Sequence, residues 1–201
     1  MALKREGVAF LLGIVALAVI IALLFLSSAG EEELAHLAVR FFGLYGYLFL
    51  SVATLTTPFL REVTQAFGKP FLKVHHSFSI LGIVFITLHP VFNAIERLSL
   101  SVFVPRFDLW DIPFWRLAGR PAFILLYTAL LAAVLRTKAP KHWRPFHALM
   151  YVVLLFGIVH ANLIGDDFEN LGIMLIFNAL FLASIVSFVL KRYRNYSRRL
   201  K

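Results

Sequence analysis

The chain has 201 residues, of which 60% are hydrophobic and only 15% charged, with a mean hydropathy of +0.82. Soluble domains carry about a quarter of their residues as charges, so this composition excludes a cytosolic or secreted globule and describes an integral membrane domain. The chain has no cysteine, which excludes disulfides, iron–sulfur clusters, thiolate metal sites and thioether-linked cofactors.

A spanning helix needs about 20 mostly apolar residues. In chain order the candidate spans are Val8–Leu26, Phe41–Leu60, Val74–Ile95, Pro121–Leu135, Phe146–Ile164 and Leu171–Leu190. The first follows Lys4 and Arg5, as a signal peptide would. Ser27, Ser28, Ala29 and Gly30 make a candidate cleavage site, but the apolar stretch is longer than a signal core. The fourth is short and is expected to run beyond its limits. The longest connection, residues 96–120, sets Phe103, Phe107, Trp110, Phe114 and Trp115 among Arg and Asp. Such aromatics mark a membrane interface. A short amphipathic helix around Asp108–Ala118, broken by Pro105 and Pro113, is expected there, as an anchor or a docking surface. The predicted fold class is all-α, with residues 1–201 as a single six-transmembrane-helix bundle.

The net charge of +9 suggests nucleic acid until the charges are placed. Six spans put 15 of the 20 basic residues on one side: Lys4, Arg5, Arg61, Lys69, Lys73, Arg136, Lys138, Lys141, Arg144, Lys191, Arg192, Arg194, Arg198, Arg199 and Lys201. The other side holds Arg40, Arg97, Arg106, Arg116 and Arg120, with nine of the eleven acidic residues. Basic excess marks the cytoplasmic side. Both termini are therefore expected in the cytoplasm of a multi-pass cell-membrane protein. Lipid is the expected partner of the tail Lys191–Lys201, and no nucleic acid is expected.

Histidine inside a span is costly and marks a functional site by default. His75 and His89 lie 14 residues apart on the third span, and His147 and His160 lie 13 apart on the fifth. At 1.5 Å and 100° per residue, 14 residues rise about 21 Å and return to within about 40° of the same face. Thirteen residues miss that face by about 140° on an ideal helix. A loosened first turn after Pro145, or a local bulge, is needed there. Both spans run the same way, so His75 and His147 are level near the basic face, and His89 and His160 near the acidic face. Paired imidazoles at two depths can clamp a metal cofactor axially at each, the pattern of two bis-histidine hemes. His76 competes with His75 as a ligand, although His75 shares a face with His89. His142 reads as solvated and His36 as an interface residue with a proton- or metal-collecting role as its alternative. For the cofactor carboxylates, Lys69, Lys73, Lys141 and Arg144 surround the basic-face site, and Arg40, Arg97, Arg116 and Arg120 the acidic-face site. Snorkelling to the interface is the alternative for each. Gly82, Gly157, Ser79 and Ala161 allow close approach of a flat ring or of a neighbouring helix. Pro90 is expected to kink the third span.

His75–x13–His89, His147–x12–His160 and the stretch Trp143-Arg-Pro-Phe-His147 resemble the ferric reductase-like transmembrane domain superfamily. That superfamily includes ferric reductases, NADPH oxidases and the heme-binding membrane subunit of methionine sulfoxide reductase. The resemblance covers all six spans and includes the same unequal spacing. It implies that His75 pairs with His147 and His89 with His160 on heme b iron, and that Arg40 and Asn93 lie near the outer heme. It further implies electron transport, with ferric iron, oxygen or an extracytoplasmic redox partner as acceptor. Family reductases usually continue into a flavin and nicotinamide domain. No Gly-rich dinucleotide loop is present in this chain, so a separate cytoplasmic flavoprotein or a quinol is the expected donor. A single-heme subunit of the sulfoxide reductase type, a histidine-dependent transporter and a purely structural membrane subunit are the alternatives.

Overall fold

The computed structural model describes residues 3–105 and 112–199. It is 84% helical, with no strand among the described residues. The helices are α1 (Arg5–Ser28), α2 (Leu34–Leu55), α3 (Leu60–Phe67), α4 (Phe71–Glu96), α5 (Ile112–Arg116), α6 (Gly119–Val134), α7 (Trp143–His147), α8 (Met150–Ile164) and α9 (Leu171–Arg199), with short 3-10 turns at Leu100–Phe103, Leu135–Thr137 and Asp166–Glu169. Six helical stretches are long and apolar enough to cross a membrane: α1, α2, α4, α6 with its 3-10 extension, α7 with α8, and α9.

The second span differs from its sequence limits. It begins at Leu34 and ends at Leu55, whereas hydropathy placed it at Phe41–Leu60. Hydropathy rejects His36 and Arg40, but the fold neutralises Arg40 inside the helix. At the other end Pro58 disfavours helix in the residue before it, and the chain turns at Thr56–Pro58. The connection after it is not simply a loop, because α3 is a separate short helix that packs on α1. Gly68, in the left-handed region at φ 61°, ends α3. The fourth span starts two residues before Pro121, with Pro121 in its first turn where a missing N–H costs nothing. Of the helix expected at Asp108–Ala118, Ile112–Arg116 is helical. Arg106, Phe107, Asp108, Trp110 and Asp111 lie outside the described residues, as do Leu200 and Lys201 of the tail.

α2 is the central helix, its span window two-thirds buried. It packs most extensively on α4, and glycine makes that approach possible. A Cβ on Gly46 would come within 2.7 Å of the Ile86 backbone nitrogen, and one on Gly82 within 2.8 Å of the Leu50 side chain. Gly82 therefore serves helix packing, one of the two roles its small size allowed. α6 packs on α7 and α8. Leu48, Leu126, Leu154, Ile173 and Phe177, all nearly inaccessible, fill the core between these helices. α4 runs continuously through Pro90. The chain ends up with a basic end (the start of α1, α3, residues 136–145 and the end of α9) and an acidic end (residues 29–33, 96–105 and 165–170).

Candidate cofactor centres

The structure brings four histidines of the long apolar helices together as two pairs. His75 and His147 have ring centroids 6.3 Å apart with planes at 78°. His89 and His160 have centroids 6.4 Å apart with planes at 81°. Two imidazoles bound end-on to one metal ion, at about 2.0–2.1 Å per bond, hold their centroids roughly 6.4 Å apart. Edge-to-face ring contact falls in the same range of separation and angle, and what sets these pairs apart is that every ring is also anchored through its other nitrogen.

Each ring is held by its other nitrogen. Nδ1 lies 3.1 Å from the Ala53 carbonyl oxygen for His75, 2.8 Å from that of Val39 for His89, 3.2 Å from that of Ala129 for His147 and 2.6 Å from that of Arg116 for His160. A carbonyl only accepts, so Nδ1–H donates, and in a neutral ring Nε2 keeps its lone pair. This is the outer-shell arrangement of a metal-bound histidine. The anchors repeat the ligand spacing. Val39 and Ala53 are 14 residues apart on α2, as His89 and His75 are on α4. Arg116 and Ala129 are 13 apart, as His160 and His147 are. The Ser79 hydroxyl lies at a long 3.4 Å from His75 Nε2.

The 13-residue interval is narrowed by tightening rather than by loosening. The helix breaks at Ala148–Leu149, where Leu149 N–H donates to Phe146 O and Tyr151 N–H to Ala148 O. These are 3-10 bonds between residues three apart. A 3-10 turn advances about 120° per residue instead of about 100°, so each tight residue swings His147 about 20° toward the face of His160. Of the two adjacent histidines, His75 faces His147, while His76 is exposed with its ring 6.0 Å from that of His75.

The acidic-end pair opens into a cavity of about 470 Å³, within the usual range for a cofactor pocket. Its lining includes Arg40, Gly43, Tyr47, Asn93, Gly119, Arg120 and both histidines. Gly43 and Gly119 are required by the rings: a Cβ would lie 2.9 Å from His89 Nδ1 and 3.2 Å from His160 Cδ2, respectively. Gly157 faces Tyr47 across the cavity wall. Arg40 lines the cavity, but its guanidinium is already engaged. It donates to Asp167 from Nε and Nη2 (3.3 and 2.7 Å), to Glu32 from Nη1 (2.5 Å) and to Ser28 (3.2 Å). Both Arg40 and Asp167 are buried. Sequence reasoning missed Asp167, whose only signal is that a buried Arg needs a carboxylate. His36 bridges Glu96 at 2.9 Å and Asp166 at 3.0 Å at the mouth. Arg120 donates to the Val104 carbonyl oxygen at 3.0 Å, and Arg97 to Asn93 at 2.7 Å.

The basic-end pair has different surroundings. Neither His75 nor His147 lines the large cavity. Lys69, Lys73, Lys141 and Arg144 are exposed around it, and Arg144 stacks on Trp143 one turn before His147. Lys191, which sequence reasoning assigned to the lipid-facing tail, is half-buried and within electrostatic reach of both histidines.

Among the described residues no group of three or more His, Cys, Asp or Glu is arranged to hold a metal ion. Each centre offers two neutral nitrogen ligands on opposite sides of a gap. That donor set suits a metal whose remaining positions are filled by a macrocycle, and heme is such a group. Comparison of the chain with protein-family models, with curated proteins and with solved structures gave no match.

Proposed function

We propose that this protein is a multi-pass b-type membrane cytochrome that carries electrons across the bilayer through two bis-histidine hemes, one on His75 and His147 and one on His89 and His160. The observation that carries this reading is the pair of centroid separations, 6.3 and 6.4 Å, each with both rings anchored through Nδ1. The resemblance to the ferric reductase-like transmembrane domain adds to it. The hemes supply one-electron chemistry. The chain's own residues orient the imidazoles, hold Nε2 unprotonated and wall off water with apolar helices. The basic end faces the cytoplasm by its charge excess, and both termini lie there. Electrons enter from a cytoplasmic flavoprotein or a quinol and leave at the acidic end, to ferric iron, oxygen or a partner reductase.

A single-heme reading, the sulfoxide reductase subunit type, is favoured by one observation: the large cavity belongs to the acidic-end pair. Heme per polypeptide on detergent-purified protein separates the two. Two low-spin b hemes per chain are expected. One heme selects the second reading. A colourless protein after heme-supplemented expression overturns both, and returns the four histidines to a transporter or a structural subunit.

A further inference from the structure

The basic-end centre carries a cation that the histidine geometry does not use. Lys191 sits near the end of the apolar part of α9 and is half-buried. Its level in the bundle follows from its neighbours. Phe188, three residues earlier on α9, packs its ring 4.7 Å from that of Tyr151 on α8. Tyr151 is four residues after His147, and α8 and α9 run in opposite directions. One turn toward the basic end from this contact therefore brings Lys191 level with His147. Ser187, one turn before Lys191 on the same face, donates to the Thr54 carbonyl oxygen of α2. Ala53, which accepts from His75, is the neighbouring residue. Lys191 thus lies on the inward face of α9, between the elements that hold the two rings.

Nothing described neutralises it. The two acidic residues of the basic end are Glu6 and Glu62, and Glu62 is engaged by Arg194. Arg144 and Arg192 act on Lys191 electrostatically, so cations gather beside the histidine pair, and among the described residues no carboxylate is paired with Lys191. A half-buried, unneutralised lysine beside a second cation is a receptor for an anion. Arg40 at the other end, already held by two carboxylates, is not.

We propose that Lys191, with Arg144, receives a carboxylate of the heme held between His75 and His147, as a positioning residue for that cofactor. This rests on the two-heme reading. The same cation can meet a lipid headgroup phosphate, and the test separates the two anions. Wild type, K191Q, K191R and H147A are purified with their cofactors, and heme transfer to excess apomyoglobin is followed optically, with heme per chain measured in parallel. The expected result is that K191Q releases one of its two hemes at least tenfold faster than wild type, that this heme is the one absent from H147A, and that K191R restores slow release. K191Q releasing both hemes at wild-type rates overturns the proposal and leaves Lys191 to lipid phosphate, as does faster release that K191R fails to restore. Heme content insensitive to H147A instead overturns the basic-end centre itself, and the proposal with it.

Discussion

The two histidine pairs have almost the same internal geometry and opposite settings. Their ring separations differ by 0.1 Å and their interplanar angles by 3°. Around the acidic-end pair, charges of both signs are paired: Arg40 with the nearby Glu32 and the sequence-distant Asp167, and His36 with the sequence-distant Glu96 and Asp166. Around the basic-end pair, cations stand beside the rings, and the ion pair found at that end among the described residues is Arg194 with Glu62. The difference teaches that ligand geometry is set by helix register and backbone carbonyls, while the surroundings set what else each centre can bind. The closed ion-pair network lines a cavity, whereas the collar at the basic end is cationic.

The largest effect is expected from removing the ligands one pair at a time. His89→Ala or His160→Ala should abolish the acidic-end heme and halve the heme content. His75→Ala or His147→Ala should do the same at the basic end, with a different residual spectrum. If every one of these variants loses both hemes, the centres are not independent and the comparison fails. Next, Arg40→Leu leaves Asp167 buried without its cation, which costs about 3–5 kcal/mol. Thermal unfolding in detergent should fall sharply. The double variant Arg40→Leu/Asp167→Leu should recover part of the loss, and a double variant as unstable as the single one would show that packing, not charge, is at stake. The smallest effect is expected at His36, which is half-exposed at the cavity mouth. His36→Gln should change stability by about 0–1 kcal/mol and leave both hemes in place. Loss of the acidic-end heme in this variant would mean that the mouth, and not the ring anchors, holds that centre.

Much of this was legible in the sequence. Six spans follow from hydropathy, and same-face spacing puts His75 and His89 on one stripe. The four ligand candidates, His75 in preference to His76 among them, are those that the fold brings into pairs. What was not legible depends on contacts between distant segments. The second span begins seven residues earlier than hydropathy allows, because Asp167, 127 positions away, neutralises Arg40. The face of His147 depends on a 3-10 turn at Ala148–Leu149 that no residue type there announces. Lys191 looks like any basic residue at a helix end until Phe188 and Ser187 fix which way α9 is turned.

The carbonyl anchors carry one further consequence. Both α4 histidines are tied to α2, while those of α7 and α8 are tied to α5 and α6. No ligand is anchored across that divide. α2 with α4 and α5 through α8 thus form two halves, already joined through the shared core and the Tyr47–Leu154 hydrogen bond; each presents one imidazole to each candidate centre, and a metal bound there would add a further tie. Any cofactor that bridges the halves acts as a cross-link on the folded state, so loading it should stiffen the whole molecule by mass action rather than the binding pocket alone.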